Sequence, residues 1–357
     1  MRVLQVIPDI GVANGVMSVI LNYAKAMPSD IVFDVAFFVD KPNTRKAEIE
    51  ALGGEVFRLP APQAKGLLVN QMRSFFAAHP GHWQAIHIHC PHYAIFIAPA
   101  AKKAGLKRIA VHCHTTTFSL AGNVFRNRLL SIYAKYFVPK RFACSEGAGK
   151  MWYGRRSFVV LKNAIDCRTY AYSADVREQV RAQEKAVDAF VVGHIGQSTV
   201  TQKNHPFLFS VFARIVAEKP NAQLWLIGAV PTAQLSALAQ KLNITEHIRF
   251  FGQRRDVPRL LQGCDVFVFP STSEGLPVSV VEAQAAGLPV VLSDAVTREV
   301  ACTPLVQTLS LQQSPAEWAV AACKALPKRE SPTRALFAGG WDINDTVQQL
   351  VQYYRSE

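Results

Sequence analysis

The stretch from Asp265 to Pro289 constrains the fold of this chain more than any other. Val266-Phe267-Val268-Phe269 is a short apolar run of β-type residues, and Pro270-Ser271-Thr272-Ser273 after it is turn chemistry. Pro277 suits a first helical turn, since its fixed φ is helical and the N–H it lacks would have no partner there. Gly287 supplies the stop. The segment therefore reads as strand, glycine-containing loop, short helix. A helix N-terminus reached through such a loop attracts anions, because free backbone N–H groups and the helix dipole point the same way. Glu274 lies on the loop and Glu282 about five residues into the helix, roughly 8 Å along its axis. Two carboxylates flanking a phosphate-binding helix end suit a ligand with hydroxyls on both sides of a diphosphate, as in a nucleotide sugar.

The rest of the chain repeats this grammar. Apolar β-type runs are expected near Val3–Ile7, Phe33–Val39, Glu55–Leu59, Ala85–His89, Arg108–His112, Arg141–Cys144 and Phe158–Leu161, with helical periods between them such as Asn14–Met27, Gln71–Ala78 and Phe125–Tyr136. A second series follows at Phe190–Ile195, Gln223–Ile227, Ile248–Phe251, Val266–Phe269 and Val290–Leu292. Alternation of this kind predicts two doubly wound α/β domains with parallel sheets and ligands at the C-terminal strand edges. The expected division is 1–169, a polar linker at 170–188, a second domain at 189–340 and a C-terminal segment, 341–357, ending in a helix near Asp345–Arg355.

Glu-x7-Glu within Ser273-Glu274-Gly275-Leu276-Pro277 and Glu282-Ala283-Gln284-Ala285-Ala286-Gly287-Leu288-Pro289 resembles the signature of family 4 retaining glycosyltransferases, which have the GT-B fold of two Rossmann-like domains facing across a cleft. The bacterial members that build exopolysaccharide, capsule or lipopolysaccharide are the nearest match. The resemblance assigns Glu274 to the donor-sugar hydroxyls and Glu282 to the ribose, with backbone amides contributed by Gly275 and Leu276. It implies an N-terminal domain for the acceptor, a C-terminal domain for the nucleotide sugar, and a last helix that crosses back onto the first domain.

Other segments fit the same family. The first βα loop carries Asn14-Gly15 where the family has Gly-Gly, and the resemblance turns Gly15 toward the transferred sugar and leaving phosphate. Gly196-Gln197-Ser198-Thr199-Val200-Thr201-Gln202-Lys203 resembles the loop opening the donor domain, with Lys203 matching the lysine that holds the diphosphate. The family usually has arginine where Gln197 stands, so one cation of a pair is missing, and Arg254 or Arg255 is the nearest substitute. His112-Cys113-His114 closes a strand, with both histidines on one side, and His114 matches the family histidine beside the donor sugar.

His87-Ile88-His89 shares a strand face but lacks a companion carboxylate, so these residues read as strand side chains facing the cleft rather than metal ligands. The chain has no Asp-x-Asp, the metal–diphosphate pair of the other large glycosyltransferase fold. No essential metal or cofactor is expected; the nucleotide sugar, a UDP-sugar by preference, is a substrate.

The net charge of +13 is carried unevenly. Residues 1–170 hold 22 Lys and Arg against 9 Asp and Glu, whereas residues 171–357 hold 17 of each. That asymmetry implies an anionic partner for the first half. The segment from Phe125 to Arg141, basic with interleaved aromatics, suits a helix lying on an anionic membrane, and no motif for nucleic acid accompanies it. No run of 18 apolar residues exists, seven cysteines lack any CxxC pair, and Arg2–Ile7 reads as a strand rather than a signal peptide. A cytoplasmic protein peripheral to the inner face of the membrane is expected. Two other functions are compatible with the same ligand class: a non-catalytic nucleotide-sugar-binding scaffold of a polysaccharide assembly complex, which Gln197 would permit, and a GT-B sugar-nucleotide 2-epimerase.

Overall fold

The computed structural model describes residues 1–12, 14–59, 67–115, 124–199, 201–324 and 329–356. The chain divides into two compact units, one of Met1–Ala164 with Ile343–Glu357, the other of Ile165–Asp342.

The first unit holds seven parallel strands: β1 (Arg2–Ile7), β2 (Val32–Phe37), β3 (Val56–Arg58), β4 (Ala85–Ile88), β5 (Arg108–Cys113), β6 (Lys140–Ala143) and β7 (Val159–Val160), in the order β3-β2-β1-β4-β5-β6-β7. The second holds six: β8 (Val191–Ile195), β9 (Gln223–Ile227), β10 (Ile248–Gly252), β11 (Val266–Phe269), β12 (Val290–Ser293) and β13 (Val306–Leu309), in the order β10-β9-β8-β11-β12-β13. Each sheet winds outward from its first strand and then reverses, which places a ligand crevice where the direction switches. The switch points are the β1/β4 and β8/β11 pairs, in register at Val3 with Ala85 and at Val266 with Val192. Central strands covered on both faces read as continuous apolar runs, and β4, β8 and β11 are buried almost throughout.

Packing in the second unit depends on small residues at close approaches. A Cβ on Gly193 would lie 2.7 Å from Cys264 Sγ, and one on Gly263 would lie 2.6 Å from the Trp225 ring. Trp225 and Trp318 are fully buried there.

The polar stretch 170–188, expected as a linker, contains a ten-residue helix, Ala174–Gln183, inside the second unit. Ser173 caps it by accepting from Val176 N. Arg177 and Arg181 turn inward onto Asp265, the latter at 3.0 Å, and the same carboxylate accepts from Val191 N at 2.7 Å. These charges fasten the helix to the start of β8. The edge strand β13 was also not foreseen: Val306-Gln307-Thr308-Leu309 has no apolar run and stays half exposed. The last helix, Ile343–Arg355, belongs to the first unit and buries Val347, Leu350, Val351 and Tyr354.

Candidate functional site

At the switch point of the second sheet, β8 runs into Gly196-Gln197 and β11 into the loop that carries Glu274. The two loops are tied by Thr272 N donating to Gln202 O at 2.8 Å and by Asn204 Nδ2 donating to Pro270 O at 3.1 Å. Lys203 ends a short 3-10 turn, Thr201–Lys203, and its stem lies across Gly196: a Cβ there would sit 2.9 Å from Lys203 Cγ and Cδ. The ammonium stands 4.6 Å above the Phe269 ring and 2.7 Å from Glu274 Oε1, with both charged side chains about four-fifths buried. The family resemblance assigns these two residues to one ligand, and the fold brings them into contact.

Glu274 also bridges to Val296 through the backbone, which fixes the loop from a second side. Gly275 is half-buried, and Leu276 points its side chain inward at 5% exposure. The helix that follows, Val278–Ala285, starts from Pro277 with no side-chain cap and no acidic residue in its first turn. Uncapped N–H groups without a competing carboxylate leave its positive end available to an anion. Glu282 accepts from the Tyr170 hydroxyl at 2.7 Å. Nothing in the sequence pointed to Tyr170, which lies in the stretch that read as linker. Gln197 is half-buried beside Gly196. Arg254 pairs with Asp256 at 2.6 Å two residues on, and its charge is answered locally.

His194, in β8, is fully buried with Nδ1 2.9 Å from Val268 O. Desolvation and the neighbouring His205 hold it well below the usual imidazole range, so it is neutral.

In the first unit, Gly15 is not a loop residue: it opens the helix Gly15–Ala26, with Asn14 capping by accepting from Val16 N and Met17 N. Asn14 at the N-cap explains the departure from a glycine pair. Beyond its chain neighbours and its own helix backbone, no atom of the described residues lies within 4 Å of where a Gly15 Cβ would be, so the position is open rather than close-packed.

His114 follows β5 and is 9% exposed. Its Nε2 lies 2.8 Å from His89 Nδ1 and its Nδ1 lies 3.3 Å from Asn163 Oδ1. His87 and His89 do not face open space, as the sequence suggested. Both are buried, their rings stacked 4.6 Å apart, with His89 Nε2 2.8 Å from Gln5 Oε1 and His87 Nδ1 2.7 Å from the Tyr354 hydroxyl. His87, His89 and His112 bring one ligand atom each within 4.8 Å of one another. Both His89 nitrogens and His87 Nδ1 are engaged, so the trio is not an open metal cage, although neither ring nitrogen of His112 has a hydrogen-bond partner among the described residues. Burial lowers His114 to about 4 and His87 to about 3, and pushes His89 and His112 well below the ordinary value.

The helix Val124–Phe137 of the first unit is inverted in its amphipathicity. Its buried face is Asn127, Ser131 and Ala134, whereas Phe125 (78%), Leu129 (57%), Ile132 and Tyr136 lie outward at spacings of four, three and four. Its cations divide. Arg126 and Arg128 are exposed, but Arg141 donates to the Ser157 and Val138 carbonyls, Lys140 lies over the Phe142 ring and Lys135 over the Tyr136 ring. Fewer charges therefore face outward than the sequence suggested, and more apolar surface does. Among the described residues no helix is long and apolar enough to cross a membrane.

The family model for group 1 glycosyl transferases matches residues 189–349. EpsF of Bacillus subtilis, named as a glycosyltransferase, is 31% identical, covering 99% of this chain and 96% of its own. The phosphatidyl-myo-inositol mannosyltransferase of Mycobacterium tuberculosis is 25% identical across 82% of this chain and 78% of its own. Among solved structures, Anabaena Alr3699/HepE in complex with UDP matches with a TM-score of 0.80 at 20% identity over 99% of both chains.

Proposed function

Because the chain belongs to the family 4 glycosyltransferases and has their GT-B fold, we propose that it transfers a hexosyl unit from a UDP-sugar to a glycan or lipid-linked acceptor in cell-surface polysaccharide synthesis, with retention at the anomeric carbon. The observation that carries this reading is the Lys203–Glu274 pair at the β8/β11 switch point, beside a helix start that has no cap of its own. UDP is the nucleotide in the HepE complex, and the mycobacterial relative is named for a lipid acceptor.

In this reading Lys203 leaves Glu274 for the diphosphate, and Glu274 turns to the sugar hydroxyls. Glu282 and Tyr170 meet the ribose, and Gly275 and Leu276 give backbone N–H groups to phosphate. His114 keeps the role that the family resemblance assigns to it, beside the donor sugar. The sugar–phosphate C–O bond breaks as the acceptor oxygen bonds to the same face of the anomeric carbon, and the acceptor proton passes to the departing phosphate oxygen. Charge grows on the diphosphate during this step, so a fixed ammonium there favours the transition state over the ground state. Lys203 and backbone amides answer that charge, and no metal is assigned to it.

The outward apolar stripe of Val124–Phe137, with Arg126 and Arg128 beside it, supports peripheral docking of the first unit on an anionic bilayer. Gln197 favours one rival, a donor-binding scaffold without turnover. The deciding experiment is a screen of UDP-, GDP- and ADP-sugars for stabilisation of the protein and for nucleoside diphosphate release with a polyprenyl-diphosphate sugar acceptor. Release from a UDP-sugar supports the transferase; tight binding without release supports the scaffold.

A further inference from the structure

Six buried side chains of the first unit form one continuous chain of polar contacts. It runs from Asn163 Oδ1 to His114 Nδ1 (3.3 Å), from His114 Nε2 to His89 Nδ1 (2.8 Å), and from His89 Nε2 to the Gln5 amide (2.8 Å). It continues to the Tyr354 hydroxyl (3.5 Å) and ends at His87 Nδ1 (2.7 Å). Gln5, His87, His89 and Tyr354 are all at most 6% exposed, and burial keeps the imidazoles neutral. A neutral imidazole carries one N–H and one lone pair, so each link holds a single proton and the direction chosen at one end propagates to the other.

Two directions are possible, and the His87 end of the chain distinguishes them. With the proton on His114 Nδ1, it donates to Asn163 Oδ1, His89 Nδ1 donates to His114 Nε2, and the Gln5 amide turns its N–H to His89. Tyr354 then donates to Gln5 and accepts from His87 Nδ1, leaving a bare lone pair on His87 Nε2. The reverse direction keeps Gln5 as oriented, Oε1 to His89, and turns the Asn163 amide over instead, but it leaves an N–H on His87 Nε2, which has no partner among the described residues. A buried N–H without an acceptor is the costlier orphan, and turning one amide over exchanges its donor and acceptor without moving its neighbours.

We propose that His89, Gln5 and Tyr354 are positioning residues that hold His114 with its one proton on Nδ1, so that it meets substrate as a hydrogen-bond donor and not as a base. The consequence for catalysis rests on the reading of His114 as a sugar-facing residue. Its link to Asn163 is longer than its link to His89, so a sugar hydroxyl takes over Nδ1–H while His89 keeps Nε2 occupied. The C-terminal helix, through Tyr354, thereby sets the chemistry of a residue at the end of β5.

The test is long-range proton–nitrogen NMR of imidazole-labelled protein, as wild type, Tyr354→Phe and His89→Leu. Wild-type His114 is expected as the Nδ1–H tautomer between pH 6 and 8. Tyr354→Phe, which removes one hydroxyl and keeps the ring, is expected to give a mixture of tautomers at His114 in a folded protein. An Nε2–H tautomer or an imidazolium in wild type, or an unmoved His114 in both variants, overturns the proposal. Transfer assays separate the underlying reading. Tyr354→Phe should lower kcat/KM about tenfold, the worth of one hydrogen bond, with UDP affinity unchanged. A tautomer shift with unchanged transfer would leave the hydrogen-bond chain standing and remove His114 from the reaction.

Discussion

Lys203 Nζ and Glu274 Oε1 form a 2.7 Å ion pair across two loops that leave neighbouring strands of the second sheet. Each is the other's counter-ion in the unliganded protein. On the proposed assignment, a donor diphosphate competes with a carboxylate for the lysine, and the sugar hydroxyls compete with the lysine for the carboxylate.

Glu274→Gln separates these roles. The amide keeps the size of the side chain but loses the charge, so Lys203 is released toward phosphate while the sugar loses its strongest acceptor. Turnover is expected to fall at least about 100-fold, with UDP bound as tightly as in wild type or more tightly. Near-normal turnover in a folded variant would remove Glu274 from the donor site.

Lys203→Ala removes the cation over Phe269 and leaves Glu274 unbalanced. Calorimetry should show weaker UDP binding, because Gln197 has no charge to offer and Arg254 is paired with Asp256. Gln197→Arg is expected to tighten UDP binding. Wild-type affinity in Lys203→Ala would move the diphosphate site elsewhere, with Arg255 the next candidate.

The first unit should partition onto anionic vesicles through Val124–Phe137. Fully burying an apolar side chain contributes about 1.5–3 kcal/mol, and each surface cation adds about 1 kcal/mol at low salt. Phe125→Ser/Leu129→Ser should weaken co-sedimentation at all salt concentrations, and Arg126→Glu/Arg128→Glu mainly at low salt. Equal sedimentation of both variants and wild type would assign this face to a different partner.

Acid should destabilise the first unit before its carboxylates titrate. His87 and His114 have folded values lowered by burial to about 3 and about 4, against an unfolded value of about 6.5. Their contribution is present above pH 6.5 and is lost as pH falls toward 4, where the unfolded chain binds protons that the folded one refuses. Each such proton steepens the loss by about 1.4 kcal/mol per pH unit. Melting temperature is expected to drop sharply between pH 6.5 and 4.5, less so in His87→Phe. A flat profile would mean that these imidazoles are charged in the native state.

Sequence reasoning read the fold well where side-chain patterning is local. β8, β9 and β11 follow from apolar runs bounded by glycine, proline or polar residues, and the Gly15–Ala26 helix follows from its period. It failed where a polar side chain finds a distant partner. Arg177 and Arg181 make a helix of an apparent linker by reaching Asp265, Tyr170 meets Glu282 from 112 positions away, and His87 meets Tyr354 from 267 away. The outward apolar stripe was hidden for the opposite reason. Phe125, Leu129 and Ile132 have the spacing of a core face, and only the buried Asn127 and Ser131 show which side turns inward.

Retaining transfer from a UDP-sugar at the Lys203–Glu274 site can be followed by proton NMR of the reaction. With a UDP-α-hexose and a polyprenyl-diphosphate sugar acceptor, wild type should release UDP and form a product whose new anomeric proton has the α coupling, while Glu274→Gln forms none. A β-linked product would contradict retention. Equal product from Glu274→Gln, or none from wild type with any UDP-hexose that it binds, would contradict the site itself.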